Sequence, residues 1–394
     1  MSSIVLRREK RGTFFARHPW VLDKSIQSSD GRMEDGQVVD LVLPDGKFIA
    51  RGIFNSRSRI RLRLYSWDPD ESLDDDFWRR RLQRAVRLRQ DLQLLHPERA
   101  TRLVFSEADG ISGVIVDYYA GFLVVQVTSL AMQRRLDTLI PCLTDLVQPH
   151  AVLVRLDERV AKAEGLEAAN YFFQGEAPAG PILIQENGLT YEVDITEGQK
   201  TGYYLDQRDN RRRAADFCRG RRVLDVCCYG GGFALNCAKY GAPVEVIGVD
   251  SSQRAVEMAA RHAQLNGLPN LRFQVGECFE TLERLAASRE TFGTIILDPP
   301  RFSANRRTVS QALHAYHRLN RLAMQCLDPG GYLVTCSCSG TVIREDFVAA
   351  VMGAGQKARR DVQLIDHRGA AADHPVLLSC PETEYLKCLF CCVG

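Results

Sequence analysis

From about Ile182 onward, short β-rich runs alternate with helical patterns, and this alternation constrains the fold more than any other feature of the sequence. The β-rich runs lie at residues 223–227, 244–249, 271–275, 294–297 and 332–335. Alternation of this kind predicts right-handed βαβ crossovers and a parallel sheet that helices cover on both faces. Ligands of such sheets bind at the carboxyl ends of the strands, so candidate site residues are expected there.

The amino-terminal part has a different pattern of short strands and turns, and it is basic. Residues 1–65 contain thirteen Lys or Arg and seven Asp or Glu, a net charge of +6, whereas the whole chain is +2, which leaves −4 for the remainder. The near-neutral total therefore does not exclude a polyanionic partner. Arg59, Arg61 and Arg63 alternate with aliphatic residues, which predicts guanidinium groups on one strand face; for that stripe alone, a solvated surface is the favoured interpretation.

The intervening segment indicates a third domain. An acidic stretch at residues 68–76 precedes an arginine-rich helix from about Phe77 to Leu95, and strand-like runs follow up to a Gly- and Pro-rich linker at residues 174–181. We therefore predict an α/β protein with three domains. These are a small amino-terminal β-barrel at residues 1–70, a central α+β domain at residues 71–181 and a Rossmann-like domain at residues 182–394.

The sequence contains neither an apolar run of membrane-spanning length nor a secretory signal, and this predicts where the protein is located and the state of its cysteines. No run approaches the roughly 18 apolar residues of a membrane span, and the first 20 residues lack the layout of a secretory signal, so a cytoplasmic protein without a membrane partner is expected. All thirteen cysteines lie at or after Cys142 without the spacing of a disulfide framework, which predicts free and mostly buried thiols. Cys388 and Cys391 have no matching second pair and lie in a run typical of a buried last strand, so no metal is expected.

The first strand of the α/β domain ends in a turn with three consecutive glycines, Gly230, Gly231 and Gly232. Glycines let the backbone approach a ligand closely, and the following helix offers free N–H groups. Asp250 ends the second strand about 20 residues later, where a carboxylate binds a ribose. The turn is not G-x-G-x-x-G and no basic clamp for a pyrophosphate follows it, which favours a cofactor without phosphates, S-adenosylmethionine, over a dinucleotide.

Two further residues indicate the reaction. Asp298 follows the fourth strand and is held by Pro299 and Pro300, and Cys338 follows the fifth. Cys336 and Cys338 point to the same side of an extended chain, with Cys338 about 6–7 Å nearer the carboxyl end, so Cys338 is the candidate nucleophile and Cys336 is expected to pack in the sheet. A thiolate that adds to carbon-6 of a pyrimidine makes carbon-5 nucleophilic enough to accept a methyl group.

Five parts of the chain form a distinctive set: the string Glu197–Arg208, the Gly-rich turn, the segment Asp298–Phe302, the Cys338-Ser339-Gly340 ending and the tail from His374 to Lys387. Together they resemble the bacterial large-subunit (23S) ribosomal RNA 5-methylcytosine methyltransferases of the RlmI type. His18-Pro19-Trp20-Val21 and the strands that follow look like a PUA domain, a small RNA-binding barrel. The resemblance covers essentially the whole chain and implies a PUA domain joined to a class I methyltransferase.

The resemblance also implies a role for each matching residue. Asp225, Tyr229, Gly230, Gly231 and Gly232 would surround the methionine part of the cofactor, Asp250 its ribose, and Glu277 with Cys278 its adenine. Lys200, Tyr204, Asp206 and Arg208 would cover the cofactor from the other side, while Cys338 would be the nucleophile with Asp298 as its partner. Three departures stand out: Gly230 replaces a common Thr, Glu277 replaces a usual Asp, and Arg301 lies where other RNA cytosine methyltransferases have a second cysteine. The base that removes the carbon-5 proton is therefore unassigned.

Three functions stay open at this point. The leading hypothesis is 5-methylcytosine formation in ribosomal RNA. Methylation of a purine amino or ring nitrogen would need only an acceptor such as Asp298, and an RNA-binding assembly factor with a vestigial fold would need no chemistry. Ribosomal RNA is the expected partner, and a homodimer, the modified nucleotide and the assembly state of the substrate are left open.

Overall fold

The structure, a computed structural model, describes residues 2–196, 201–303 and 306–394. Its contacts divide the chain into two compact units. The first unit comprises Met1–Ile184, Val193–Tyr203 and Ala372–Thr383, and the second comprises Gln185–Glu192, Tyr204–Ala371 and Glu384–Gly394. The three-domain division at residues 70 and 181 stays a prediction.

The first unit contains two sheets. The first sheet has the strand order β2-β6-β5-β4-β1-β3, with β1 Ser3–Leu6, β2 Trp20–Leu22, β3 Ile26–Ser29, β4 Val38–Val42, β5 Phe48–Phe54 and β6 Ile60–Ser66, and helix α1 spans Arg11–Phe15. The second sheet has the order β11-β10-β9-β8-β7, with β7 Ala100–Phe105, β8 Val114–Tyr119, β9 Phe122–Val127, β10 Ala151–Leu156 and β11 Ala169–Gln174. Helices α2 Asp75–Asp91, α3 Leu130–Gln133, α4 Leu136–Val147 and α5 Glu158–Glu164 belong to the same unit.

Helix α2 begins at Asp75, two residues before its predicted start, and ends earlier than predicted. The Asp74 side chain caps it by accepting a hydrogen bond from Phe77 N at 2.8 Å, as the acidic run before the helix indicates. The expected end was near Leu95, but the helix stops at Asp91. Gln93 has a positive φ of 56°, and this left-handed conformation ends the helical path.

The predicted arginine stripe on β6 is not a solvated surface throughout. Arg63 is only 8% exposed, and its guanidinium lies 3.2 Å from Glu164 Oε1 and 3.4 Å from Glu107 Oε1. Arg61 is partly exposed and pairs with Asp23 at 3.0 Å. The favoured interpretation of a solvated stripe is therefore wrong for Arg63, because carboxylates distant in sequence bind it inside the unit.

The second unit contains the predicted α/β domain. Its seven-stranded sheet has the order β16-β15-β14-β17-β18-β20-β19. The strands are β14 Arg222–Val226, β15 Glu245–Asp250, β16 Leu271–Val275, β17 Phe292–Leu297, β18 Leu327–Ser337, β19 Val362–Arg368 and β20 Lys387–Val393. The helices are α6 Arg208–Ala214, α7 Gly232–Tyr240, α8 Gln253–Leu265, α9 Cys278–Ser288, α10 Val309–Gln325 and α11 Arg344–Ala358, and β12 Ile182–Glu186 with β13 Leu189–Val193 forms a two-stranded sheet.

The register of this sheet places the candidate residues along one edge. Strands β14 to β18 are parallel, with Val226 opposite both Val249 and Leu297, and Leu297 opposite Thr335. Buried aliphatic side chains from β14, β17 and β18 pack against α10 and α11 to form the core below that edge. Because these strands end side by side, the residues that follow them are neighbours, and the predicted α/β fold is confirmed.

Candidate active site

The Gly-rich turn between β14 and α7 has an unusual backbone. Cys227 and Tyr229 have positive φ angles of 63° and 48°, and Gly231, which precedes the helix, has a φ of 78°. Non-glycine residues in the left-handed region are strained by about 1 kcal/mol or more each and occur most often at functional sites. A Cβ atom on Gly232 would lie 2.5 Å from Arg211 Nε, so this position needs glycine for close packing as well.

Asp225 lies at the base of this turn and is fully buried. Its Oδ2 accepts a hydrogen bond from Ala234 N at 3.0 Å, whereas its Oδ1 has no hydrogen-bond partner in the described part of the chain. Burial, together with the negative charges of Asp298 and Asp250, raises the pKa of this carboxyl group to about 8. The site therefore contains a buried acidic oxygen with unused capacity to accept a hydrogen bond.

Two acidic residues at the carboxyl ends of the neighbouring strands accept hydrogen bonds from backbone N–H groups. Asp250 accepts hydrogen bonds from Tyr229 N through Oδ2 and from Ser252 N through Oδ1, each at 2.9 Å. Glu277 caps α9 by accepting a hydrogen bond from Phe279 N at 2.8 Å, and the Cys278 thiol donates to it at 3.1 Å. Both carboxylates are thus fixed at the edge where a nucleoside is predicted to bind.

Asp298 and Cys338 follow the adjacent strands β17 and β18. The Asp298 carboxylate accepts a hydrogen bond from Gln207 Nε2 at 3.0 Å. Cys338 is partly exposed, and its thiol lies 3.8 Å from the carbonyl oxygen of Pro299. Cys336 is fully buried, which confirms the expectation that it packs in the sheet. The structure therefore brings the predicted nucleophile close to the Asp-Pro-Pro segment.

Two tyrosines lie near these residues, and one of them also contacts the Gly-rich turn. The ring of Tyr204 packs edge-on against that of Tyr229, with 5.2 Å between the centroids. Burial raises the pKa of Tyr204, and negative charges on Tyr229, Asp298 and Cys338 raise it further. The Tyr316 hydroxyl, whose pKa burial raises to about 12, lies 3.1 Å from Ser339 Oγ. The predicted catalytic pair and Tyr229 of the turn thus all lie near Tyr204.

Lys387 is a site residue that the sequence reasoning missed. It begins β20 opposite Ser337 and is only 2% exposed, and its Nζ donates hydrogen bonds to the carbonyl oxygens of Ser339 at 2.8 Å and Tyr385 at 2.9 Å. Burial lowers the pKa of this ammonium group to about 8, and a negative charge on Cys338 opposes that shift. A buried cation therefore lies beside the candidate nucleophile, whereas Arg301, which follows the Asp-Pro-Pro segment, is exposed.

The remaining predicted residues have different surroundings. Asp206 is buried, its side chain accepts a hydrogen bond from the Tyr385 hydroxyl, and its carbonyl oxygen accepts one from Ala371 N at 2.8 Å. Arg208 begins α6, with its Nε 3.6 Å from Asp209 Oδ1. Lys200 lies outside the described residues. Gln207, which orients Asp298, lies in the string Glu197–Arg208, but the sequence pattern assigns it no role.

The cysteines outside the site match the sequence interpretation. All thirteen are free thiols and nine of them are buried. Cys388 and Cys391 lie on the buried strand β20, as expected. Within the described residues, one group of possible metal ligands comes together, His18, Cys380 and Glu382, with donor atoms within 4.8 Å of one another. Burial raises the pKa of the Cys380 thiol, which favours its protonated form over the thiolate that a metal needs, and the absence of a metal stays a prediction.

No helix in the described part of the chain is both long and apolar enough to cross a membrane.

Comparison with known proteins agrees with this geometry. Residues 4–67 match the PUA-like domain family, and residues 110–364 match the S-adenosylmethionine-dependent methyltransferase family. The chain is 40% identical to the ribosomal RNA large subunit methyltransferase I of Erwinia tasmaniensis over 390 residues, and 39% identical to that of Aeromonas hydrophila over 389 residues, with 98% of each chain covered in both cases. The solved structure of SMU.776 in complex with SAH has the same fold, with a TM-score of 0.86 at 20% identity and complete coverage of both chains.

These matches confirm the predicted resemblance and the predicted cofactor, S-adenosylmethionine. The chain belongs to the S-adenosylmethionine-dependent methyltransferases and, within them, to the family of the ribosomal RNA large subunit methyltransferases I.

Proposed function

We propose that this protein methylates carbon-5 of a cytosine in large-subunit ribosomal RNA and that Cys338 is its nucleophile. The observation that carries the proposal is the position of Cys338 beside Asp298 and the buried Lys387, at the strand edge that also holds the Gly-rich turn. The names of the relatives support ribosomal RNA as the substrate, and a ribosomal RNA substrate supports a cytoplasmic location.

The residues of the turn fit the proposed cofactor. S-adenosylmethionine, when bound, supplies an electrophilic methyl group. The unpartnered Oδ1 of Asp225 fits its ammonium group, because a buried carboxylate oxygen without a donor favours a cation with N–H groups. Tyr229 with Gly230, Gly231 and Gly232 would lie along the methionine part, Asp250 would accept from the ribose, and Glu277 with Cys278 would contact the adenine. Tyr204, Asp206 and Arg208 would line the opposite side.

Cys338 and Asp298 act at different positions of the cytosine ring. The Cys338 thiolate forms a sulfur–carbon bond at carbon-6. The electron pair of the carbon-5 to carbon-6 double bond is thereby shifted away from carbon-6, and carbon-5 becomes nucleophilic. Asp298 holds or protonates the ring edge during this addition, and Gln207 orients its carboxylate. After carbon-5 carries the methyl group, loss of its proton re-forms the double bond and expels the Cys338 thiolate.

The thiolate needs a nearby positive charge, and we assign that role to Lys387. A thiol in a part-buried site ionises poorly unless a cation stabilises its charge. Lys387 is held beside residue 338 by two backbone carbonyl groups, so its ammonium group has little freedom to move away. The positioned cation therefore favours the nucleophilic form of Cys338.

A trapping experiment tests the reaction class. Ribosomal RNA fragments that carry 5-fluorocytosine are incubated with the protein and S-adenosylmethionine, and adducts are separated by denaturing electrophoresis and identified by mass spectrometry. Because fluorine at carbon-5 cannot leave as a proton does, the thiolate mechanism should leave RNA covalently bound to the peptide that contains Cys338. Methylated purine without an adduct would support the nitrogen-methylation alternative, and the absence of any transfer on ribosomal RNA would support the assembly-factor alternative.

The raised pKa of Asp225 predicts a pH dependence of cofactor binding. In the free protein the carboxyl group is protonated below about pH 8, and pairing with an ammonium group favours the ionised form, so binding should release a proton. The affinity should rise between pH 6 and 7, by at most about tenfold per pH unit. Isothermal titration calorimetry in buffers of different ionisation enthalpy measures both quantities.

Two controls make this measurement specific. Methylthioadenosine lacks the ammonium group and should bind with an affinity that is nearly independent of pH. Asp225→Asn cannot ionise and should remove the dependence for S-adenosylmethionine. An unchanged pH dependence in this variant would contradict the pairing of Asp225 with the ammonium group.

A further inference from the structure

The first unit contains a cavity of about 520 Å³ whose lining is rich in arginine. Arg17 contributes from the amino-terminal part, Trp67 follows β6, and Arg81, Arg84 and Arg87 line the cavity from α2. The positions 81, 84 and 87 are three residues apart, so these side chains extend from neighbouring positions on one side of the helix. We call this cavity the arginine groove.

The acidic residues that line the arginine groove already have cationic or polar partners. Asp109 accepts two hydrogen bonds from the buried Arg89, at 2.7 Å and 2.9 Å. Glu107 accepts from Trp20 Nε1 at 2.9 Å and lies 3.4 Å from Arg63. Asp91, the third acid, pairs with Arg87 at 2.8 Å, and that arginine is therefore already neutralised.

Three arginines of the groove remain without such compensation. Within the described part of the chain, Arg17, Arg81 and Arg84 form no ion pair with a carboxylate. Arg81 donates to the carbonyl oxygen of Tyr65 at 3.0 Å and lies over the ring of Phe77, which fixes its position but does not neutralise it. Burial lowers the pKa of Arg81; the charge of Glu71 opposes this shift, and the charges of Arg84, Arg80 and Arg17 add to it. An anion in the groove would relieve this repulsion.

We infer that the arginine groove binds the sugar–phosphate backbone of the RNA substrate, at a site separate from the methyl-transfer chemistry. The inference rests on the proposed function, since that function supplies the RNA. Guanidinium groups from α2 and from Arg17 can bind successive phosphates with paired N–H donors. The indole N–H of Trp67 donates to the carbonyl oxygen of Phe14 at 2.9 Å, so the aromatic ring is fixed in the wall of the groove. A cavity with several uncompensated arginines and a fixed aromatic ring favours a polyanion with bases over a single small anion.

The experiment measures RNA affinity as a function of salt concentration. A labelled ribosomal RNA fragment is titrated with the full-length protein in a filter-binding assay between 50 mM and 300 mM salt. The double variant Arg81→Gln/Arg84→Gln should bind about tenfold more weakly at 0.1 M salt, and its log–log salt slope should be shallower by about 1.4, or about 0.7 for each lost phosphate contact.

Arg79→Gln is the matched control, because Arg79 is on the same helix, is 47% exposed, lies 3.7 Å from Asp145 and does not line the groove. It should keep the wild-type affinity and slope. Since Arg81→Gln removes a hydrogen bond to Tyr65, the single variant Arg84→Gln at an exposed position is tested as well, with thermal unfolding of all variants. Wild-type affinity and slope in both groove variants would overturn the inference.

The outcomes also separate this inference from the proposed function. S-adenosylmethionine binding should be unchanged in the groove variants, because the altered residues belong to the first unit and the proposed cofactor residues from Tyr204 onward belong to the second. If the wild-type protein binds RNA through the groove but transfers no methyl group to cytosine, the proposed function fails and the groove assignment stands. If the wild type methylates cytosine and the groove variants bind like it, only the groove assignment fails.

Discussion

Replacing Cys338 with alanine is expected to reduce methyl transfer to cytosine by at least about 10³-fold, because carbon-5 cannot become nucleophilic without the bond at carbon-6. The expectation rests on the place of Cys338 after β18, partly exposed and close to the Asp-Pro-Pro segment and to Lys387. The measurement is single-turnover transfer of labelled methyl groups to a ribosomal RNA fragment, with the product nucleoside identified by mass spectrometry. Affinity for S-adenosylmethionine should stay near the wild-type value, since the predicted cofactor contacts lie elsewhere.

Cys336→Ala is the matched control for this substitution. Cys336 lies two residues earlier on the same strand, is fully buried and pairs in register with Cys388 of β20. Its replacement should lower thermal stability slightly while it leaves the rate of transfer within a fewfold of wild type. Undiminished carbon-5 methylation by the Cys338→Ala variant would refute the nucleophile assignment. Retained transfer to a purine nitrogen would establish the alternative reaction, for which only the Asp298 side of the site is needed.

The sequence was sufficient to predict the features that repeat along the chain. Alternating strands and helices predict the parallel sheet, and the residues after β14, β15, β17 and β18 were expected at one edge because parallel strands end together. Asp225 and Asp250 lie at the carboxyl ends of β14 and β15, and Asp298 and Cys338 directly follow β17 and β18. The acidic run at the start of α2 and the burial of the last strand are local patterns, and they too were predicted from sequence.

Features that depend on distant pairing were not predicted. Lys387 and Cys338 are far apart in sequence and meet only because β20 pairs with β18 in an antiparallel register, which no local pattern reveals. Alternation along the strand predicts Arg63 as one residue of a surface stripe, and it cannot reveal the partners Glu107 and Glu164, which belong to later segments of the chain. In both cases the charge of the residue was evident from sequence, but the group that compensates or uses that charge was not.

The charge of Lys387 should control the ionisation of Cys338. An opposite charge at short range lowers the pKa of a thiol by about one to two units, so Lys387→Met should reduce the thiolate fraction and the transfer rate near pH 7 by about ten- to a hundredfold. The test is the rate of alkylation of the Cys338 peptide by iodoacetamide from pH 6 to pH 10, followed by mass spectrometry. The midpoint should move to higher pH in the variant, a directional change that loss of packing alone does not predict.

The pH range of the effect follows from the pKa of Lys387 itself, which burial lowers to about 8. Below that pH the ammonium group is charged and stabilises the thiolate; above it the amine becomes neutral, so the rates of the two proteins should converge. The two groups titrate as a coupled pair. The other ionisable groups around them are the same in both proteins: Asp298, Tyr204 and Tyr316 lie near the thiol, and Glu384 and Arg344 lie near the amine.

Lys387→Arg separates charge from hydrogen bonding. It keeps a positive charge at the start of β20 but does not reproduce the geometry of the hydrogen bonds to Ser339 and Tyr385. If the charge sets the ionisation of Cys338, this variant should have an alkylation midpoint between those of wild type and Lys387→Met, even where its thermal stability is lower. Coincident alkylation profiles for wild type and Lys387→Met would show that Lys387 only supports the ends of β18 and β20, and the thiolate would then need another cation.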